Sequence, residues 1–259
     1  MSELFRVEHL SHRFRDGSEG LKNISLRIDD KEFIVIAGRN GSGKTLLARH
    51  LVGISAPSSG SVFFRGIEAR NDLKALRASV GFVFQDTDSQ ILGQTVAEDV
   101  AFGPSNLRLS PADIRERTNE ALAEAKLESA SDRRPESLSG GEKRRLAIAG
   151  VLAMRPDCLI LDEPFANLDL ESVRDIVRIC GDLKNSGVTL IIVTHELEKI
   201  LLLADRLVIL DGGELCFSGH PAAADPELFA LHGLACPYEG FFPWAFPRER
   251  LAAKEPRQP

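Results

Sequence analysis

The sequence is poor in cysteine and contains no long apolar run. Four cysteines occur in 259 residues and none forms a C-x-x-C pair, which excludes a disulfide-stapled scaffold and predicts reduced, mostly buried thiols. The apolar stretches, such as 200–203 and 207–210, are far shorter than a membrane span. If the protein serves a membrane, another chain must cross it.

An apolar signal segment and an excess of positive charge are also missing. The opening residues, MSELFRVEHL, lack the apolar core of a signal peptide, so we expect a cytosolic protein. The formal net charge of -6 argues against nucleic acid as a partner held by bulk electrostatics. The 43% hydrophobic and 27% charged residues are ordinary for a soluble globular protein.

Short apolar runs alternate with segments of helical spacing. Residues 33–38, 158–161 and 190–193 are continuous apolar runs, typical of parallel strands that are covered on both faces. Between the last two runs, apolar residues from Val173 to Leu183 recur at helical spacing. The alternation predicts an α/β domain with a parallel sheet, and LVILDGGELCF predicts two strands joined by a glycine turn.

The middle and the end of the chain have a different composition. Residues 111–126 are charged, alanine-rich and helical in pattern, so residues 86–150 are interpreted as a helical subdomain inserted into the sheet domain. The predicted main domain covers residues 1–220. Residues 221–259 form a proline-rich tail of unassigned role, with its aromatic cluster GFFPWAFP at 240–247.

GRNGSGKT follows a predicted strand and opens a predicted helix, which is the context of a phosphate-binding loop. Its glycines let successive backbone N–H groups point at phosphate oxygens, and the helix presents its positive end. The lysine would contact the β- and γ-phosphates, and the threonine hydroxyl suits Mg²⁺. The predicted ATP-binding residues are Gly38, Arg39, Asn40, Gly41, Ser42, Gly43, Lys44 and Thr45.

CLILDEP places two carboxylates at the end of an apolar strand. Asp162 is the candidate Mg²⁺ ligand, and Glu163 is the candidate catalytic group that polarises the attacking water. Such a pair can also be merely solvated or cap a helix. The phosphate loop upstream favours the functional interpretation.

LSGGEKRR places Ser139, Gly140 and Gly141 at the start of a helical pattern, where a helix N-terminus can bind an anion. Ser139 and Glu142 also have the spacing of a capping box. The two interpretations are compatible. A cap does not require two glycines, whereas close approach to a phosphate does.

Taken in order, the phosphate loop, Gln85, LSGGE, LDEP, Asp169 and His195 resemble the ATP-binding subunits of ABC transporters across nearly the whole chain. The resemblance implies a P-loop NTPase fold, with a RecA-like parallel sheet core, an antiparallel β subdomain and an inserted helical subdomain. It also implies a head-to-tail dimer with a second ABC ATPase subunit. In that dimer the LSGGE segment would bind the γ-phosphate of the ATP held by the partner.

The same resemblance implies roles for further residues. Gln85 would sense Mg²⁺ and link the site to the membrane partner, and residues 167–169, including Asp169, would form the loop that crosses the dimer interface. His195 would contact the γ-phosphate. Phe14 falls where the family places an aromatic residue, more often tyrosine, that stacks on adenine; the alternative is a core phenylalanine.

VFQDTDSQILGQTVAEDVAFGP (83–104) resembles the energy-coupling factor (ECF) subfamily, which imports vitamins and transition-metal ions. The resemblance implies a transmembrane coupling subunit, a substrate-binding membrane subunit and a place on the cytoplasmic face of the membrane. Thr87 departs from the usual proline. Ile91 and Leu92 are predicted to form an exposed docking surface. Three further residues have the spacing of a buried helix face, and the sequence leaves open whether they belong to that face or to the docking surface: Val96, Val100 and Phe102.

Two other functions remain open from the sequence. The chain could be the ATPase of another ABC importer or exporter. It could also be a soluble ABC ATPase without a transport role. The sequence has neither the long coiled coil of the repair proteins nor the second cassette of the translation proteins. Within that second class only the cluster-assembly type is left.

Overall fold

The structure is a computed structural model that describes residues 2–237. Its strands are β1 Glu3–Arg13, β2 Glu19–Asp29, β3 Phe33–Ala37, β4 Ser59–Phe64, β5 Ile67–Glu68, β6 Val80–Val83, β7 Cys158–Asp162, β8 Thr189–Val193, β9 Arg206–Asp211 and β10 Glu214–Gly219. Its α-helices are α1 Lys44–Leu51, α2 Leu73–Ser79, α3 Val96–Asn106, α4 Pro111–Glu124, α5 Gly140–Leu152, α6 Leu170–Ser186 and α7 Pro226–Leu231.

The strands form two sheets. The six-stranded sheet has the order β10-β9-β3-β8-β7-β6, in which every neighbouring pair is parallel except β9 with β10. The four-stranded sheet has the order β2-β1-β4-β5 and is antiparallel. The predicted α/β fold, with a parallel core and an antiparallel β subdomain, is therefore confirmed. The glycine-linked strand pair near residue 212 is β9 and β10.

The central sheet is buried on both faces, which explains its continuous apolar strands. In β3, Phe33 and Val35 belong to one hydrophobic cluster, whereas Ile34 and Ile36 belong to the other. One cluster includes residues of α5 and α6, and the other includes α1 and the antiparallel sheet. Since both faces need apolar side chains, the period of two that marks a half-exposed strand is absent.

Helices α3, α4 and α5 lie between β6 and β7 and pack on one another. Each begins at a side-chain cap, provided by Thr95, Ser110 and Ser139. The helices fall in the region predicted to be a helical subdomain, 86–150, although α5 continues to Leu152. The boundaries of the subdomain stay a prediction.

Helix α6 has the apolar face that the sequence predicted, with Val173, Ile176 and Leu183 buried. It ends at Gly187, whose φ of 84° is readily adopted only by a residue without a Cβ. The buried face packs on the sheet beside β8.

The cysteines are all free thiols, but they are less buried than predicted. Cys158 and Cys180 are buried, Cys236 is intermediate and Cys216 is exposed. In the tail, α7 buries Phe229 in the main core. The aromatic cluster at 240–247 lies outside the described residues. Among the helices described, none is long and apolar enough to cross a membrane.

Candidate nucleotide site

Four neighbouring strands end at one edge of the central sheet. β3, β8, β7 and β6 are adjacent in that order, and each is followed by a predicted functional group. The register pairs Val83 with Leu161 and Leu161 with Ile192, so the chain segments after these strands emerge side by side. The sheet order thus brings together the phosphate loop, His195, Glu163 and Gln85. Ligands of open parallel sheets commonly bind at this edge.

The phosphate loop joins β3 to α1 through glycines with positive φ. Gly38 has φ 151°, and a Cβ there would lie 2.2 Å from the carbonyl oxygen of Leu210. Gly43 has φ 101°, and a Cβ would lie 2.7 Å from the carbonyl oxygen of Gly20. Any side chain at either position would push the loop away from its neighbours. The loop's curved path therefore requires glycine at both places.

Lys44 stabilises the curl of this loop. Its Nζ donates to the carbonyl oxygens of Gly38 over 2.7 Å and Arg39 over 3.1 Å, and it lies 3.8 Å from Oε1 of Glu163. The lysine is buried. Burial lowers its pKa, and the nearby carboxylates of Glu163 and Asp162 act in the opposite direction. A buried cation is thus held at the loop by two carbonyl oxygens, and this cation would attract an anion there.

Ser42 carries a buried polar atom without a partner. Its Oγ is buried, and no described residue forms a hydrogen bond with it. A buried hydroxyl without a hydrogen bond costs about 1–3 kcal/mol on mutational evidence. The loop therefore has an unused hydroxyl group beside the carbonyl oxygens that Lys44 holds.

Thr45 and Asp162 meet although 117 residues separate them. The Thr45 hydroxyl donates to Oδ1 of Asp162 over 2.9 Å. Asp162 is the last residue of β7 and is buried. Burial raises the pKa of Asp162, and the hydrogen bond from Thr45 opposes that shift. The pair combines two hard oxygen atoms of the kind that Mg²⁺ prefers.

Glu163 has a left-handed backbone conformation, and hydrogen bonds orient its side chain. Its φ is 47°, which is uncommon for a residue with a Cβ and is often found at functional sites. Its N–H donates to the carbonyl oxygen of Val193 over 2.7 Å. Its Oε2 accepts from the hydroxyl of Thr194 over 3.1 Å. These bonds hold the buried carboxylate at the edge of the sheet.

His195 lies against Glu163. Its Nδ1 is 3.0 Å from Oε1 and 3.1 Å from Oε2 of that carboxylate. Since an ionised carboxylate only accepts, Nδ1 carries the proton in this contact. The His195 side chain remains 46% exposed, so the rest of the ring can meet another group.

Phe14 is an exposed ring beside the phosphate loop. It is 46% exposed, so the alternative of a core phenylalanine is wrong. A Cβ on Gly20 would lie 2.7 Å from the Phe14 ring and 2.5 Å from Leu46. Because Gly20 has no side chain, the ring can pack next to the first turn of α1. The carbonyl of Gly20 in turn touches Gly43 of the loop.

The residues of the LSGGE segment (138–142), called the signature residues below, form a second group. Ser139 accepts from the N–H of Glu142 over 3.2 Å, and Glu142 Oε2 accepts from the N–H of Ser139 over 2.7 Å, which completes the predicted capping box. A Cβ on Gly141 would lie 1.9 Å from Oγ of Ser172. Asp169 caps α6 by accepting from the N–H of Ser172 over 2.8 Å. No hydrogen bond in the described part of the chain joins this group to the phosphate loop.

Gln85 has an exposed side chain in the loop after β6. Gln90 closes this loop because its Oε1 accepts from the N–H of Phe84 over 3.0 Å and its Nε2 donates to the carbonyl of Phe82 over 3.2 Å. Arg144 of α5 donates to the carbonyl oxygens of Phe84 and Gln85, each over 2.8 Å. The sequence did not distinguish Arg144 from its neighbours. Nothing in a local pattern shows which residue of a basic run points inward.

Residues after the predicted domain also border the site. A cavity of about 420 Å³ is lined by Arg39, Asn40 and His195 together with Gly233, Leu234 and Ala235. The guanidinium of Arg39 packs on Gly233, where a Cβ would lie 2.8 Å from its Nε. No local sequence pattern indicates this contact.

Of the two residues predicted to be exposed in the docking surface, the structure exposes one. Leu92 is 66% exposed, but Ile91 is only partly exposed and packs on the main core, so its predicted exposure is wrong. Val96 and Val100 are buried as their spacing predicts. Phe102 is 50% exposed, so it does not belong to the buried face. The described residues therefore offer Leu92 and Phe102 as exposed apolar groups of this region.

Comparison with known proteins agrees with the geometry. Residues 21–166 match the family described as ABC transporter. The energy-coupling factor transporter ATP-binding protein EcfA of Methanosarcina acetivorans is 40% identical over 256 residues, which cover 91% of this chain and 93% of that protein. The predicted resemblance to ATP-binding subunits of the energy-coupling factor type is confirmed.

Solved structures show the same fold. The structure of cbiO1 from Clostridium perfringens, part of the ABC transporter complex cbiONQ, matches with a TM-score of 0.79 at 37% identity, covering 89% of this chain and 92% of that one. An ATP-binding cassette solved as a dimer with ADP and Pi has a TM-score of 0.77 at 28% identity, covering 84% and 98%. The chain therefore belongs to the ABC transporter family, among its ATP-binding proteins.

Proposed function

We propose that this chain hydrolyses ATP within a head-to-tail dimer and thereby energises an ECF-type importer of a vitamin or a transition-metal ion. The observation that carries the proposal is the cluster at the carboxyl edge of the sheet. There Lys44, Thr45, Asp162, Glu163 and His195 meet from three separate parts of the sequence. The proposal assigns each of these groups one task in hydrolysis.

ATP would be bound through its phosphates and its base. The free hydroxyl of Ser42 and the N–H groups of the glycine loop would donate to phosphate oxygens, and Lys44 would exchange its carbonyl partners for phosphate. Phe14 would offer its exposed face to adenine. The ring lies beside the first turn of α1, so base and phosphates fall on the same side of the sheet.

The residues present also fit Mg²⁺. The described residues include no cluster of three or more carboxylate, histidine or cysteine groups suited to a metal, and Mg²⁺ is usually held by one or two carboxylates together with substrate phosphates. Thr45 and Asp162 would hold it, with Gln85 reaching from the next strand. When bound, Mg²⁺ would neutralise charge on the phosphate oxygens.

Glu163 would act on the attacking water. Its carboxylate would accept a proton as the water oxygen bonds to the γ-phosphorus and the bond to the β-γ bridging oxygen breaks, which releases ADP and phosphate. Thr194 and His195 fix the orientation of this carboxylate. A contact from Nε2 of His195 to the γ-phosphate would need a proton on that nitrogen as well.

A second subunit would complete each site. Ser139, Gly140 and Gly141 form a capped helix start that makes no hydrogen bond with the phosphate loop of the described chain. A helix start of this kind can bind the γ-phosphate of an ATP on another subunit. Asp169 lies beside Gly141 through Ser172 and would cross the same interface. The related cassette solved as a dimer with ADP and Pi supports this arrangement.

The membrane partners would be a transmembrane coupling subunit and a substrate-binding subunit. The relative EcfA is named for an energy-coupling factor transporter, and cbiO1 is described as part of a transporter complex. The chain would lie on the cytoplasmic face of the membrane, with the exposed side chains of Leu92 and Phe102 towards the transmembrane coupling subunit.

Purification in a gentle detergent tests the proposal. The tagged chain, isolated from membranes of its source organism, should release phosphate from ATP and should carry a polytopic membrane protein identified by mass spectrometry. A parallel purification of the Leu92→Asp variant controls for unspecific capture. Active ATPase without any membrane partner would favour a soluble ABC ATPase. No hydrolysis in either preparation would contradict the enzymatic role.

A further inference from the structure

Arg144 carries a buried guanidinium that has no role in the proposed hydrolysis. This residue belongs to α5, the helix that starts at the signature residues. It is 5% exposed, and both terminal nitrogens donate to main-chain carbonyls of one loop, at Phe84 and Gln85. Its Nε is buried without a partner among the described residues. Within residues 2–237, no carboxylate forms a hydrogen bond with it.

Such an arrangement is unfavourable as simple packing. Burying a charge costs several kcal/mol unless it is well paired, and an apolar residue of similar volume is often as stable or more so. Burial indeed lowers the pKa of Arg144, with the charges of Asp162 and Asp86 opposing the shift. What the guanidinium provides is geometry, because its rigid fork holds two acceptors in fixed places.

The acceptors are the two main-chain carbonyls that flank the Cα of Gln85. The peptide N–H of Phe84 is fixed by Gln90 at the same time. Lys143, the preceding residue of α5, donates to Oδ1 of Asp88 over 2.6 Å, farther along the loop. Two successive residues of the signature helix therefore bind the loop, but only Arg144 binds the backbone of Gln85 itself.

We propose that Arg144 is a positioning residue that sets the place of Gln85 from the signature helix. The inference rests on the proposed function, in which Gln85 meets Mg²⁺ on its own nucleotide and Ser139 to Gly141 meet the partner's nucleotide. Movement of α5 on dimer closure would then carry Gln85 with it. One side chain would thus connect the half of the site that binds ATP to the half that closes over the partner's ATP.

A double-mutant cycle between Arg144 and Gln85 tests this. Arg144→Met should lower kcat about tenfold or more while the KM for ATP changes less than about threefold, because an interaction that acts in the transition state affects kcat. It should also raise the Mg²⁺ concentration needed for half-maximal ATP binding, measured by equilibrium titration without turnover, as Gln85→Ala should. In the Gln85→Ala background, Arg144→Met should lower kcat little further, because both substitutions act through one contact.

Arg117→Met is the matched control. Arg117 also donates from a partly buried guanidinium to a main-chain carbonyl, that of Met154 over 3.3 Å, within the same group of helices. It should leave kcat and the Mg²⁺ dependence unchanged. Arg144→Lys keeps the charge but loses the fork, so it should restore only part of the rate, and it replaces the methionine variant in the cycle if that variant does not fold.

The two hypotheses fail in different ways. If Arg144→Met behaves like Arg117→Met, or if its effect is the same with and without the Gln85 side chain, the positioning role is wrong while ATP hydrolysis stands. If the unaltered protein does not hydrolyse ATP at all, the proposed function itself is wrong.

Discussion

The Nδ1 atom of His195 lies 3.0 Å from Oε1 of Glu163. The two residues follow adjacent parallel strands, β8 and β7, and the hydroxyl of Thr194 donates to the other carboxylate oxygen. The carboxylate is thus held from one side by two consecutive residues of a neighbouring strand end. This places a buried, oriented carboxylate at the edge where the phosphate loop begins.

Glu163→Gln should nearly abolish hydrolysis while ATP still binds. The amide keeps the shape of the side chain but cannot accept a proton from water, and loss of a general base typically costs about 10²–10⁴-fold in rate. Phosphate release measures turnover, and a sizing column should show an ATP-bound dimer that accumulates. Glu128→Gln, at an exposed carboxylate in a 3₁₀ turn, is the control. Near-normal turnover of Glu163→Gln would show that another group is the base.

Phe14→Ala should weaken ATP binding about tenfold, since stacking of a base on an aromatic ring contributes about 1–3 kcal/mol. Phe14→Tyr keeps the ring and should bind ATP as the unaltered protein does. Titration with tripolyphosphate, which has no base, provides the control ligand, and its affinity should not change. An equal loss for ATP and tripolyphosphate would mean that the ring supports the loop rather than the adenine.

Leu92→Asp should prevent assembly with the membrane partner and leave the isolated ATPase intact. Leu92 is 66% exposed, so a charge there disturbs no core, whereas the same change at Ile91 would reach packed residues. Co-purification and uptake measure coupling, and phosphate release by the isolated chain measures the basal rate. Ile67→Asp is the control, because it introduces the same charge at a residue of the antiparallel sheet that is 56% exposed. Full uptake by Leu92→Asp would exclude the docking role.

Stability should fall as the pH drops below about 6.5, in part because of His50. Burial, and next the nearby His12, lower the pKa of His50 to about 4. A base whose pKa is lower in the folded state takes up its proton more readily when unfolded, so acid favours unfolding between pH 6.5 and 4. At pH 5 this one group should cost about 2 kcal/mol relative to pH 7.5.

Urea unfolding at the two pH values measures this effect. His50→Gln removes the group, so the free energy of unfolding of that variant should fall less between pH 7.5 and 5 than that of the unaltered protein. His220→Gln removes a histidine whose side chain accepts a bond from the N–H of Ala222 near the surface, and it should keep the full pH dependence. If the free energy of unfolding falls as much for His50→Gln as for the unaltered protein between the two pH values, His50 is not the group responsible.

The sequence by itself determined the features that are written in contiguous residues. Apolar runs marked β3, β7 and β8, because a strand covered on both faces needs apolar side chains at every position. The glycines of the phosphate loop marked a path that needs positive φ at Gly38 and Gly43. The cap at Ser139 was visible because both partners lie within one turn of helix.

Only the tertiary structure decided which distant residues meet and which side chains are covered. Thr45 reaches Asp162 across 117 residues because β3 and β7 end at one edge of a sheet, an order that no local pattern specifies. In the run KRR, Arg144 turns to the Gln85 loop, whereas Arg145 pairs with Asp175 of α6 over 3.0 Å. Helical periodicity separates the faces of α5, but what packs against each face depends on elements far away in the chain.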